Sequence, residues 1–210
     1  MNDESDNQYN DMIDSLYSDF AADVLAGHDG LYGDVVEHFA QERLQSYYVQ
    51  NPRVALPACW ALQQARALLH DHPEASLVFA VTAAEVGLKS ALLKPILHGL
   101  VHNEAFAAIV ADLMPRQRNQ QFRDLLFAIL RNYGGVDLAA FVRPGASIAL
   151  WEEMEQNQWR RNCVVHRAET VDVHHARLAV EVAGTVVEEL FPTAIATLGL
   201  QMNGDLVVPP

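Results

Sequence analysis

Apolar residues recur at three- and four-residue steps along almost the whole chain, the spacing that lines one face of an α-helix. Tyr9, Met12, Ile13, Leu16, Tyr17, Phe20, Val24 and Leu25 form the first such stripe, and Gly27 and Gly30 interrupt it. Val35, Val36, Phe39, Leu44 and Tyr47 form a second, ending near Asn51-Pro52. A third helix is predicted over about 55–70. Pro73 suits the first turn of the next, with Asp71 as its cap, because the first N–H groups of a helix have no internal partner to lose. That helix carries Leu77, Val78, Val81, Ala84, Leu88, Leu92 and Leu93 to about residue 97, with Pro95 expected to kink it. Shorter helices are predicted over 103–113 and 116–133, separated by Pro115. Gly134-Gly135 and Pro144-Gly145 bracket a loop. Ser147 is the expected cap of a helix running towards His166, and Thr170 or Asp172 starts a last long helix that stops at Pro192.

Strand signals are nearly absent and no internal repeat is found. The predicted fold class is therefore all-α, an up-and-down helical bundle of four to five core helices. Residues 1–50 form an acidic N-terminal helical arm whose first ten residues are expected to be disordered. Residues 51–195 form the bundle. Residues 196–210 form a C-terminal tail, loose from Leu206 to Pro210.

Composition changes this picture little. Half of the 210 residues are hydrophobic, enough for a sizeable core. No apolar run is expected to span a membrane, and the polar, acidic start MNDESDNQYN does not read as a signal peptide. Cys59 and Cys163 both fall in apolar helical stripes, which fits a reduced, cytoplasmic protein. Charge changes the picture more. The formal net charge is −13, yet residues 1–50 hold eleven Asp/Glu against one Arg, a balance of −10. From Arg116 to Arg177 there are nine Arg against seven Asp/Glu, a balance of +2. Lys89 and Lys94 are the two lysines; the other cations are arginines, whose planar fork matches phosphate geometry.

The locally basic part contains Arg161-Asn162-Cys163-Val164-Val165-His166. An imidazole can move a proton near neutral pH, and a guanidinium can grip a phosphate with two hydrogen bonds. Together they suit metal-free chemistry on a phosphodiester. An Arg five residues before a His is expected about 0.5 times by chance in this composition; adding the Asn lowers that to roughly 0.02. On a helix Asn162 and His166 share a face, while Arg161 lies about 140° round from His166 and must curl back. Val164 and Val165 are expected to be core contacts. The alternative is structural: His166 satisfied by Glu169, and Arg161 an ordinary surface arginine beside Arg160.

Arg161-Asn162-x-x-x-His166, followed by one more helix, resembles the HEPN family (higher eukaryote and prokaryote nucleotide-binding), many of whose members are ribonucleases. The alanine-rich stretch from Pro73 to Lys89, with Glu85 inside it, is similar to the family's second core helix. Ala61, Ala65 and Leu68 before it fit too, as do Ala176, Ala179, Val182 and Val186 after the motif. The resemblance covers about residues 53–192. It implies a homodimer with two facing motifs, an RNA substrate and no cofactor or metal. His166 would be the general acid/base, Arg161 would stabilise the phosphorane, and Asn162 would orient phosphate or histidine. Glu85 and Arg160 would support them, Glu85 by orienting His166 or Arg161 or, alternatively, as a buried salt bridge to Arg161. The implied products are a 2′,3′-cyclic phosphate and a 5′-hydroxyl. The implied setting is a toxin or phage-defence effector, with a cognate antitoxin or regulatory protein as partner and no membrane. Family toxins paired with a nucleotidyltransferase antitoxin carry a tyrosine two residues after the histidine. Ala168 stands there, so control by adenylylation is not expected. A non-catalytic module of the same family, binding nucleotide, RNA or protein, is the other reading, and a helical interaction protein with a coincidental motif is the third.

His98 and His102, with Glu104 nearby, and Asp172 with His174 and His175 are weaker candidates for a metal. Trp60, Trp151 and Trp159 sit at helical spacing and read as packing rather than as base-stacking platforms.

Overall fold

A computed structural model of the chain describes residues 31–101 and 120–210. The described residues form six helices. They are α1 (Leu31–Gln50), α2 (Leu56–Leu68), α3 (73–101), α4 (Gln120–Gly134), α5 (Leu150–Arg167) and α6 (173–196). A two-stranded antiparallel hairpin follows, β1 (Gln201–Asn203) and β2 (Leu206–Val208). The all-α class expected from the periodicity holds. The expected helices within residues 1–30 and over 103–113, and the first residues of the one expected over 116–133, lie outside the described residues.

α3 is the centre of the bundle, with α1, α2, α4, α5 and α6 all packed against it. Leu77, Ala80, Ala83, Leu92, Leu93 and Leu97 along it are fully buried. Its 27 residues Pro73–Gly99 are long and apolar enough to cross a membrane by length and composition, contrary to the sequence reading. A helix surrounded by others is apolar all round for the same reason as a membrane span, and most of this one is buried inside the protein.

The prolines expected to kink α3 and to end α6 are both accommodated. In a regular helix the N–H of residue 95 would bond the carbonyl of residue 91, but Pro95 has no N–H. The turns before it widen into a π-helical segment, Gly87–Leu93, and the Tyr48 hydroxyl donates to the Ala91 carbonyl at 2.6 Å. Burial pushes the Tyr48 hydroxyl far above the usual range, so it stays protonated as a donor. In α6 the π-helical segment Thr185–Leu190 likewise ends two residues before Pro192. α6 then continues to Ala196, past the expected stop. The two wide segments meet at Gly87, where a Cβ would lie 3.2 Å from Val186 and 3.3 Å from Val187. Glycine there permits the close approach.

Other differences are local. Asp71 does not cap α3, and Ser147 does not cap α5; His72 and Ala149 occupy those positions without a side-chain bond. Asp172 does cap α6, accepting the His175 backbone N–H at 2.8 Å. The segment expected to be a loose tail is the hairpin, turning at Gly204 with φ +63°. The Val207 N–H donates to the Pro52 carbonyl at 2.8 Å, and Leu200 and Val207 are buried. α1, expected as part of the acidic arm, places Leu44 and Tyr48 in the core.

Arg143, in the loop before α5, is 8% exposed. Its Nε and Nη2 donate to Glu153 of α5 at 2.9–3.1 Å and its Nη1 to Glu181 of α6 at 2.9 Å. A buried guanidinium is tolerated only with its donors satisfied, so this cluster fixes the base of α5 against α6.

Candidate active site

α5 carries the motif. Leu150 and Asn157 are buried on it, and Met154 and Val164 pack against the core at the same three- and four-residue spacing. Arg161 continues that stripe. It therefore runs along the seam between α5 and α3 instead of pointing outward, with its side chain 26% exposed. Its Nη2 lies 3.3 and 3.4 Å from the two Glu85 oxygens, and its Nη1 donates to Asn162 Oδ1 at 3.1 Å. Glu85 also accepts from Gln158 Nε2 at 2.9 Å. Charge-assisted bonds to a carboxylate are usually about 2.7–2.9 Å, so Glu85 holds the guanidinium in place without clamping it. Of the two partners expected for Glu85, the structure gives Arg161. Beside this seam, Glu85, Gln158, Lys89 and Glu155 border a narrow groove floored by Ala84 and Leu88.

His166 is elsewhere. It lies in the last turn of α5, exposed to solvent, with no hydrogen bond or ion pair among the described residues. Glu169, its expected structural partner, instead approaches Arg167 at 3.6 Å. α5 ends because Ala168 turns left-handed, with φ 53°, returning its N–H to the Val164 carbonyl at 3.1 Å. Asn162 and His166 share an outward face with Val165, which is 53% exposed rather than in the core. Arg160 turns the other way, with Nη1 3.4 Å from Asn157 Oδ1. The structure thus gathers Arg161, Asn162, Glu85 and Gln158 and leaves His166 and Arg160 on other sides of the helix. One chain offers a held guanidinium and a free imidazole that do not point at a common phosphate.

A second cleft of about 240 Å³ opens between the end of α5, the loop 168–172 and the start of α6. Trp159, Arg160, Cys163, Glu169, Asp172 and His175 line it. His175 Nδ1 is 2.9 Å from Asp172 Oδ2, and the loop is tied to α3 by the Val171 N–H donating to Glu74 Oε1 at 3.1 Å. The His175 backbone N–H, then its ring, holds the Asp172 carboxyl below the usual range. The Glu74 backbone N–H, then that of Val171, does the same for Glu74.

Among the described residues no three His, Cys, Asp or Glu side chains are arranged to hold a metal. Asp172 spends its oxygens on the cap and on His175, while His102 and Glu104 lie outside the described residues. Cys59 and Cys163 are free thiols. Trp151 packs edge-on against Phe127 at 5.4 Å, and Trp60, though 53% exposed, packs edge-on against Phe79 at 5.6 Å; Trp159 is 62% exposed, against the expectation of packing. Sequence reasoning missed Gln158 and Arg143. Gln158 sits three residues before Arg161 on the same side of the helix, a spacing that would have found it. Arg143 lies in a loop and carried no local signal. Comparison with known proteins adds no relative, since no family model, curated protein or solved structure matches the chain.

Proposed function

We propose that the chain is a metal-independent endoribonuclease that works as a homodimer. The observation that carries this reading is the state of His166. Like His70 it is exposed and unpaired among the described residues, but it alone of the two shares its helix face with an amide, Asn162, that accepts from a guanidinium, Arg161. The bond from the Arg161 guanidinium to Asn162, which links the two sides of the motif, is the second support.

In the proposed reaction His166 takes the proton of a ribose 2′-hydroxyl, and the 2′-oxygen attacks the adjacent phosphorus. Arg161 balances the charge of the five-coordinate phosphorane. The bond to the 5′-oxygen breaks, and an imidazolium returns a proton to that oxygen. The products are a 2′,3′-cyclic phosphate and a 5′-hydroxyl. Because Arg161 and His166 point apart on α5, one scissile phosphate needs contributions from two chains. Pairing the outward faces around Asn162, Val165 and His166 about a two-fold axis brings two motifs together and covers exposed apolar surface. The two unpaired thiols fit a reducing, cytoplasmic setting. Control by a cognate inhibitor, as in a toxin or phage-defence effector, belongs to the same proposal.

A second reading is a non-catalytic helical module that binds nucleotide, RNA or protein. The Arg161–Glu85 pair favours it, because a paired guanidinium is already partly neutralised. Mapping the ends of RNA incubated with the protein in EDTA separates the two. Cyclic-phosphate and 5′-hydroxyl ends support the first reading. RNA that stays intact, or cleavage that chelation abolishes, supports the second or refutes the mechanism.

A further inference from the structure

We infer that the cleft at the C-terminal end of α5 takes one nucleotide of single-stranded RNA, with its base against the Trp159 indole; this rests on the ribonuclease reading and supplies it with a substrate subsite. At about 240 Å³ the cleft is smaller than the usual small-molecule pocket and of the order of one base with its sugar. Trp159 stands in its wall, 62% exposed, and makes no ring contact among the described residues. Unpaired bases stack on such aromatic faces without regard to sequence.

The polar groups match the rest of a nucleotide better than they match a bare phosphate. One arginine, Arg160, faces two carboxylates, Glu169 and Asp172, so a doubly charged anion gains little. The Glu169 carboxylate and the Thr170 hydroxyl instead accept from ribose hydroxyls and exocyclic amino groups, while Arg160 offers donors to a phosphodiester. His175 is fixed by Asp172 through Nδ1, which leaves Nε2 as the nitrogen available to a ligand. The placement also fits. Trp159 is seven residues before His166, about 20° round and about 10 Å along an ideal helix, so a base stacked there belongs to a nucleotide close to the scissile one.

The test uses the full chain and a short 2′-O-methyl oligonucleotide, which lacks the attacking hydroxyl and cannot be cleaved. Saturable quenching of tryptophan fluorescence is expected. Trp159→Ala, at an exposed position, should remove most of the quench and weaken binding about tenfold. Asp172→Asn keeps a side chain able to cap α6 but removes the charge facing His175, and should weaken binding several-fold. With cleavable RNA, Trp159→Ala should raise KM and spare kcat. Oligonucleotide binding that is absent, or equal in wild type and Trp159→Ala, overturns the subsite whether or not the protein cleaves. Trp159-dependent binding without cleavage supports the subsite and sinks the ribonuclease reading alone.

Discussion

Arg161 reaches Glu85 across the seam between α5 and α3, with Nη2 3.3 Å from the nearer carboxylate oxygen. The same carboxylate accepts Gln158, so Glu85 sets where the guanidinium rests. Glu85→Ala should lower kcat for RNA cleavage about tenfold with KM little changed, because an unheld arginine meets the phosphorane less often. Glu85→Gln should recover part of the loss. Steady-state kinetics of the two variants checks this. Equal rates for Glu85→Ala and wild type would show that Glu85 plays no part in catalysis.

Tyr48 and Pro95 make a second linked pair. The Tyr48 hydroxyl serves the carbonyl that Pro95 leaves unbonded. Tyr48→Phe should cost about 1–3 kcal/mol in chemical denaturation, the penalty for a buried carbonyl without a partner. Deleting residues 1–50 removes both Tyr48 and Leu44 from the core, so the truncated protein should be insoluble or unfolded. A soluble, fully helical truncation would contradict this role for α1.

The helices were legible because burial imposes a three-to-four-residue period on them. Their ends were less so. Pro192 reads as a stop in any sequence, and only the widened turn before it, packed at Gly87, lets α6 run on. The hairpin around Gly204 was hidden because its strands are three residues each and depend on a bond from Val207 to Pro52. The sequence offers the Arg161–Glu85 contact as one of two alternatives for Glu85. It does not show that His166 stands unpaired, since its state depends on where Ala168 ends the helix and turns Glu169 away.

Ala168 adopts the left-handed conformation, φ 53°, that glycine occupies at little cost. Ala168→Gly should stabilise the protein by up to about 1 kcal/mol, raising Tm by about 2–4 °C. A lower Tm in a thermal melt would mean that this turn is not part of the folded state.

Glu74 and Asp172 hold the end of the short loop where it enters α6, Glu74 through the Val171 N–H and Asp172 as the helix cap. Both carboxyls are held below their usual values in the fold. Each therefore contributes stability that is present above its unfolded-state value and lost as pH falls through the lower folded-state value. The loop should loosen below about pH 4. Protection of the Val171 and His175 amides against exchange, taken relative to the intrinsic rate at each pH, should fall there in wild type. The double variant Glu74→Gln, Asp172→Asn should lack that step, and an unchanged acid response in it would assign the loss to other groups.

The central claim is that His166 is the acid/base of a metal-free ribonuclease. It is tested most directly by the rate at which wild type and His166→Ala cleave a labelled RNA in EDTA, with circular dichroism confirming that both are folded. His166 is exposed, so its removal should leave the fold unchanged while cleavage falls at least about a hundredfold. Folded His166→Ala protein that cleaves at the wild-type rate would contradict the account.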